Sequence, residues 1–375
     1  MRVMFYCQHV LGIGHFFRSM EIARALHRHE VLFVEGGEPL PGFEAPPHVT
    51  RAFLPPLMMD ADFQHLEAVA GDVEAIRNER RQQLMALFQR FQPDVLVIEL
   101  FPFGRKRFGY EILPLLDVIQ QQVLPTRVVC SLRDILVEKQ DVAAYEQRVV
   151  TTLNRFFHLL LLHADPRVVS LDETFTRLDD IRIPVEYTGF VGKPLERAAR
   201  LHRGKVIVAS SGGGKVGVDL LTATVRALRC LPDPAWRLRI FIGPFMEDQD
   251  RKVLADLARG DVRVALLPFS LDYAKELTAA DLSISMAGYN TCMDILSTGV
   301  RSLVYPFRQN REQSLRANRL QSLGLLKVIV DLADSSLAEA IRATLQGPTA
   351  PPVLAPDLDG AAKSALVVES LVKSH

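Results

Sequence analysis

The chain has 375 residues, 48% of them hydrophobic and 23% charged, enough to bury substantial cores and long enough for about two domains. Its 44 basic and 44 acidic residues cancel to a formal net charge of zero, which argues against a nucleic-acid binder driven by phosphate neutralisation. Four scattered cysteines, Cys7, Cys130, Cys230 and Cys292, form no CxxC or Cys/His cluster. Neither a structural zinc nor a redox pair is indicated, and the usage fits a reducing, cytoplasmic setting.

Arg2 to Cys7 reads as a buried strand, with no signal-peptide pattern ahead of it. The turn Gly12-Ile13-Gly14-His15 follows, and then Phe16, Met20, Ala23 and Leu26 at helical spacing, the apolar face of a first helix. Further strands are expected near 30–34, 94–99, 126–131 and 158–163, and the charged stretch Asp60 to Arg90 reads as helix, ended by Pro93. The second half restarts with a strand at Lys205 to Ser210, a bend at Gly212-Gly213-Gly214, and a helix through Leu220, Leu221, Val225 and Leu228. Strands near 237–242, 262–267, 281–285, 301–305 and 326–330 follow, with helices between. Gly347 to Pro356 reads as a proline-rich loop, and Gly360 to Lys373 as a terminal helix. Alternation of strand and helix throughout predicts an α/β chain with parallel sheets. The expected division is a first domain over 1–195, a polar linker over 196–204, a second domain over 205–358 and a C-terminal helix over 359–375. Two doubly wound sheets in series would face each other across a cleft and bind ligands at their strand C-termini. The densest apolar run, Phe156 to Leu162, falls far short of the roughly 20 residues a membrane helix needs, which leaves peripheral membrane contact open.

Two glycine-rich turns carry the chemistry. At the first, a helix start points free N–H groups and positive dipole at any ligand, and His15 stands at that mouth. The same positive end lowers a histidine's pKa and keeps the ring neutral, as a general base must be; a capping turn with a surface histidine explains the motif equally well. Glu99 and Asp134 lie at strand ends, and either one can orient His15 as a carboxylate does in a catalytic triad; a surface ion pair such as Arg133 with Asp134 is the competing reading. Phe101, Phe103 and Phe108 with Arg105, Lys106 and Arg107 suit an acceptor or an anionic membrane surface, or else a half-buried loop. His163 and Asp165 end another strand, where metal ligation is the lesser reading.

The second turn, Gly212 to Gly217, satisfies G-x-G-x-x-G between a strand and a helix. No acid ends the next strand, so a dinucleotide site fails; Val216 follows Lys215 where a Walker A loop needs Ser or Thr. A phosphate-binding loop of another kind remains, against a plain tight turn with Lys215 as a solvated charge. Ser285 to Thr291 and Pro306 to Gln313 add two further strand-end loops, the latter with Glu312 and Gln313, whose side chains suit sugar hydroxyls.

Together these motifs resemble the GT-B glycosyltransferases, and most closely the family of the GlcNAc transferase that makes the lipid-linked peptidoglycan precursor. Leu267-Pro268-Phe269-Ser270, Ala280 to Ser285, Ala287-Gly288, Thr291, Gly299, Pro306, Gln313 and Asn318 follow that family's order and spacing. The resemblance implies that Gly14 and Gly212 to Gly214 approach a donor diphosphate and that the Phe269–Ser270 backbone faces a nucleotide base, by likeness uracil. It implies further that Ala287, Gly288 and Thr291 line the phosphate loop, that Gln313 touches the donor sugar, and that His15 is the base on an acceptor hydroxyl. Asp294 stands where the family usually has a ribose-binding glutamate, and Met286 where relatives are often basic; Lys215, Arg308 or Arg311 would supply that charge.

The function implied is an inverting, metal-independent hexosyl transfer from a nucleotide-diphosphate sugar, with no cofactor beyond the donor and no nucleic acid as partner. Gly12 to Arg18 also resembles the nucleotide-sugar hydrolase of pseudaminic acid synthesis, in which the histidine would activate water. A non-catalytic nucleotide-sugar-binding protein is the alternative of a different class. One fold hosts many functions and does not choose among these.

Overall fold

The computed structural model describes residues 1–8, 13–37, 39–40, 42–59, 66–68, 72–136, 141–193, 205–213, 216–307, 309, 311–347 and 353–373. The chain forms two compact units, Met1–Val191 with Asp359–His375, and Gly192–Leu358.

The first unit runs β1 (Arg2–Cys7), α1 (Gly14–Ala25), β2 (Glu30–Glu35), β3 (Val49–Phe53), β4 (Leu57–Met59), β5 (Leu66–Ala68), α2 (Val73–Phe91), β6 (Val95–Glu99), α3 (Gly109–Gln121), β7 (Arg127–Arg133), α4 (Val142–Phe156), β8 (Leu159–His163) and β9 (Val185–Tyr187). Among the described residues its sheet is parallel, in the order β3-β2-β1-β6-β7-β8-β9, while β4 and β5 make a separate antiparallel pair. The chain winds one way from β1 through β2 and β3, then returns to the other side of β1 at β6. That reversal puts the C-terminal ends of β1 and β6 at a topological switch point, where such sheets bind ligands.

Apolar periodicity places the core as expected. Phe16, Met20 and Ala23 of α1 and Leu26 at its C-terminal cap are buried with Phe5, Phe33 and Val97 in one core. Each large apolar side chain so buried contributes about 1.5–3 kcal/mol. The terminal helix α11 (Gly360–Lys373) adds Ala365 and Val368 to this same core, so the end of the chain is structurally part of the first unit.

One expectation is corrected. Asp60 to Arg90 is not a single helix: Leu66–Ala68 is strand, and the Asp72 side chain caps Ala75 N–H so that α2 begins at Val73. Only Arg80, Leu84 and Phe88 of this charged helix are buried. Arg80 anchors it with a two-pronged pair to Glu111 of α3, at 2.6 and 2.9 Å, and donates to the Gly36 and Pro55 carbonyls and to Gln8 Oε1. A buried cation with every direction satisfied in this way holds loop ends that apolar packing does not reach.

The second unit runs β10 (Lys205–Ser210), α5 (Val218–Arg229), β11 (Trp236–Phe241), α6 (Asp248–Ala258), β12 (Val264–Leu267), α7 (Tyr273–Thr278), β13 (Leu282–Met286), α8 (Tyr289–Thr298), β14 (Ser302–Tyr305), α9 (Arg311–Ser322), β15 (Lys327–Val328) and α10 (Asp334–Gln346). Its sheet is parallel in the order β12-β11-β10-β13-β14-β15. Here the reversal lies between β10 and β13, which pair Ser210 with Ser285 at their C-terminal ends. Ile207, Ala209, Ile284 and Met286 face a core built with α5 and α10. Among the described residues, no helix is long and apolar enough to cross a membrane. The expected linker over 196–204 lies outside the described residues.

Candidate active site

In the first unit, the sequence builds one charged cluster at the switch point. Ile13 precedes α1 without a side-chain cap, so His15 occupies the open first turn. Glu99 is the last residue of β6 and is fully buried. His15 Nδ1 donates to Glu99 Oε1 at 2.5 Å, which leaves Nε2 as the ring's basic nitrogen. Arg18, one helical turn along the same face, donates from Nη2 to the same carboxylate oxygen at 2.6 Å. Arg105 Nε stands 3.8 Å from the other oxygen, Glu99 Oε2.

Electrostatics follow from this packing. Burial drives His15 down to about 4, against the attraction of Glu99, so its ring is neutral at neutral pH. Burial alone would raise the Glu99 carboxyl. His15, Arg18 and Arg105 outweigh it and hold Glu99 ionised, below the usual carboxylate range. A neutral imidazole backed by a fixed carboxylate can accept a proton at Nε2, and the resulting imidazolium is stabilised where it forms.

Asp134 is fully buried just past β7, away from the surface, and the carboxylate bonded to the His15 ring is that of Glu99. Phe101, Phe103 and Phe108 are core residues with at most 5% exposure, which removes them as a docking surface: aromatic rings of this size pack inward when a neighbour such as Phe175 is within reach of Phe103. His163 bonds to the Ser131 and Thr188 hydroxyls at 2.7 and 3.0 Å, and Asp165 pairs with Arg167. Among the described residues, no group of three or more His, Cys, Asp or Glu side chains could hold a metal ion.

The second unit gathers small residues where the first gathers charges. Gly212 turns through φ 71° after β10, and its N–H is held by Ser210 Oγ at 3.0 Å. Gly213 follows, its carbonyl accepting from Phe245 N–H. Gly217 then enters α5 at φ 98°, where a Cβ would lie 2.9 Å from Ser211 Cβ. Beside this bend, β13 runs out into buried Ala287, and Gly288 caps α8 with no side chain. Helices α5 and α8 thus open on amides that carry no side-chain cap, in contrast to α2 and α4, which Asp72 and Asp141 close. Thr291 and Asp294 lie half-buried on α8. Phe269 and Ser270 lie half-buried beyond β12, where Ser270 Oγ accepts from Asp272 N–H. Gly214, Lys215 and Arg308 lie outside the described residues, as does Gly12 of the first turn.

Glu312 and Gln313 have inward roles. Glu312 is buried and paired with Arg316 at 2.7 Å, while Gln313 Oε1 accepts the Phe307 N–H at 3.1 Å. Arg316 in turn donates to the Ala287 carbonyl and lies over the Tyr289 ring, which ties α9 to the small-residue turn. Sequence reasoning assigned no role to Arg18 or Arg316. The three-residue spacing of His15 and Arg18 was a usable signal for the first, and the four-residue spacing of Glu312 and Arg316 for the second.

Residues 213–364 match the model of the glycosyltransferase family 28 C-terminal domain. The UDP-N-acetylglucosamine–N-acetylmuramyl-(pentapeptide) pyrophosphoryl-undecaprenol N-acetylglucosamine transferase of Sinorhizobium medicae is 26% identical over 172 residues, 42% of this chain and 46% of that protein. The protein of the same name from Caldanaerobacter subterraneus is 29% identical over 153 residues, 39% and 41% of the two chains. The chain therefore spans less than half the length of these curated relatives. Among solved structures, the calicheamicin glycosyltransferase CalG4 superimposes with TM-score 0.62 at 16% identity, covering 99% of this chain and 98% of that one. A UDP-glucosyltransferase from Polygonum tinctorium gives 0.64 at 14%, covering 100% and 99%, and Acinetobacter baumannii MurG gives 0.56 at 17%, covering 100% and 99%. The fold is that of the GT-B glycosyltransferases, with two Rossmann-like sheets, and the chain resembles the peptidoglycan GlcNAc transferase family.

Proposed function

We propose that this GT-B chain is an inverting glycosyltransferase that moves a hexosyl group from a nucleotide-diphosphate sugar, with UDP as the nucleotide, to an acceptor hydroxyl. The observation that carries the reading is the 2.5 Å bond from His15 Nδ1 to buried Glu99 at the β1/β6 switch point. His15 Nε2 takes the acceptor proton as the acceptor oxygen attacks the anomeric carbon. The bond from that carbon to the diphosphate oxygen breaks, and the configuration inverts. Glu99, held ionised by Arg18 and Arg105, stabilises the imidazolium.

The diphosphate leaves with growing negative charge. In this reading the amides at the starts of α5 and α8, exposed by Gly212, Gly213, Gly217 and Gly288, stabilise it as preorganised dipoles. Asp294, Phe269 and Ser270 lie on the elements that would hold the nucleoside, and Thr291 on the helix that would line the phosphate. Uridine is favoured by the names of the curated relatives, which use UDP-N-acetylglucosamine. Peripheral membrane contact is favoured by the same names, whose acceptor is an undecaprenol derivative.

The deciding experiment is His15→Ala. Transfer should fall roughly 10²–10⁴-fold, the usual share of a general base, while UDP-sugar binding measured by calorimetry stays within about twofold. Full activity in this variant overturns the mechanism. Rapid donor consumption by the parent protein with no acceptor present would turn the reading to hydrolysis. A thermal-shift screen across nucleotide-diphosphate sugars identifies base and sugar together, because a specific ligand raises apparent stability by mass action.

A further inference from the structure

The second unit has a basic groove at the end of its sheet remote from the glycine bend. Strand starts and helix ends lie together there. Arg229 closes α5, Arg237 is the second residue of β11, Arg259 caps the C-terminus of α6, and Arg263 stands just before β12. The Gly212 bend follows Ser210, which pairs with Phe241 at the far end of β11. Four residue steps of that strand, at about 3.3 Å each, separate Arg237 from the level of the bend. The groove encloses about 550 Å³. Among the described residues, its walls carry the four guanidinium groups and a single carboxylate, Asp261.

The fold needs two of these arginines. Arg263 grips Asp261 with both prongs, at 2.9 and 2.8 Å, and donates to the Leu228 carbonyl of α5. Arg229 donates to the Leu257 carbonyl of α6 at 2.6 Å. Each covers a carbonyl at a helix C-terminus, where the dipole favours a cation. The other two have no such duty. Arg237 is exposed and pairs with no carboxylate among the described residues; its Nη1 donates to the Pro234 and Trp236 carbonyls, which leaves Nε and Nη2 without a partner. Arg259, 78% exposed, holds only Asp256, at 2.5 Å. An exposed pair of this kind is weak and yields to a better anion. Four cations against the carboxylates of Asp256 and Asp261 leave two positive charges in excess around one groove. Its described walls contain no histidine, cysteine, serine or lysine, and Asp261 is tied at both oxygens, so the groove binds and does not convert.

We propose that this groove is a second anion site, separate from the candidate active site, and that its ligand is a small molecule bearing a diphosphate. A diphosphate places at least two negative charges on adjacent phosphorus atoms, and a guanidinium fork suits two oxygens of one phosphoryl group. The volume is that of a small-ligand site. An acidic peptide is a poorer match, because successive side chains of an extended chain point to opposite sides. The site makes no use of the role given to His15.

The chain has one tryptophan, Trp236, whose carbonyl accepts from Arg237, so its fluorescence reports occupancy. Inorganic pyrophosphate titrated into the full chain at about 0.15 M ionic strength should change that signal saturably, with half-saturation below roughly 1 mM. Orthophosphate, with one phosphoryl group, should bind at least about tenfold more weakly, and chloride at matched ionic strength should give no saturable change. Replacing both exposed arginines, Arg237→Ala with Arg259→Ala, should weaken pyrophosphate binding at least about tenfold. No saturable change in the parent below that concentration, or equal affinity in parent and double variant, overturns the proposal; in the second case the anion sits elsewhere on the chain. A short polyglutamate peptide that binds as tightly as pyrophosphate overturns the phosphoryl assignment in favour of an acidic protein segment. His15→Ala, whether or not it transfers, should respond as the parent does. A lost response there joins the groove to the candidate active site, against the proposal, whereas retained transfer in that variant removes the proposed base and leaves the groove standing.

Discussion

The two sheets share one winding and have opposite chemistry at the place where it reverses. Where β1 meets β6, the side chains are His15, Arg18, Glu99 and Arg105, charged or titratable and packed almost out of water. Where β10 meets β13, they are Ser210, Ser285, Ala287 and a run of glycines, and the polar groups on offer are backbone amides. The contrast teaches that a shared topology supplies only the location. Side chains buried together can shift one another's pKa and so move protons; bare helix starts can hold charge and cannot titrate.

That division can be broken by substitution. Glu99→Gln removes the charge that stabilises the imidazolium and should cut transfer by roughly 10²–10⁴-fold, with donor affinity by calorimetry unchanged. A matching loss of donor binding would mean that the two regions do not divide the work. Arg316→Met breaks the buried pair with Glu312 in the second unit and the bond to the Ala287 carbonyl. Denaturant unfolding should show about 3–5 kcal/mol less stability, as for other broken buried pairs. Gly217→Ala forces a side chain into left-handed backbone against Ser211, at about 1–3 kcal/mol. Donor affinity should drop about tenfold, while the His15 pKa, followed by NMR, stays where it is; movement of that pKa would contradict the separation.

The smallest effect is in the pH profile. His15 is a base only when neutral, and burial places its pKa near 4. Transfer should therefore rise with pH through about 4 and stay flat through neutrality, with no inflection at the ordinary imidazole value near 6.5. Stability changes in the same direction. The unfolded ring takes its proton near 6.5 and the folded ring only near 4, so this group's contribution is full above 6.5 and declines as pH falls between those values. A rate profile with its midpoint near 6.5 would show that the ring is more hydrated than its packing implies.

Much of the fold was readable from local pattern. Buried parallel strands appear as short apolar runs, and those at Arg2–Cys7, Lys205–Ser210 and Leu282–Met286 lie close to where those runs place them. The strands that escaped notice, Val49–Phe53, Leu57–Met59, Leu66–Ala68 and Val185–Tyr187, are sheet edges or a small separate pair. Val49–Phe53 and Val185–Tyr187 carry mixed polarity because they are partly exposed, and the other two, at three residues each, are too short to show a period. The stretch Asp60 to Arg90 misled for a related reason: charge density signals a solvated helix face and says nothing of where the helix starts, which here is decided by the Asp72 cap.

The chain order alone determined an α/β protein of two parallel sheets, two glycine turns set between strand and helix, and a histidine at the first of them. These are local properties, encoded in period, turn chemistry and motif spacing. Which carboxylate orients that histidine was open between Glu99 and Asp134, residues 84 and 119 positions away, and only the packing of β6 beside β1 selected Glu99. Tertiary structure likewise turned Arg105 inward and its two neighbours outward, buried the phenylalanines around it, and returned α11 to the first unit. Contacts between distant segments form only when the sheet assembles, so their energies leave no mark in the pattern of either segment by itself.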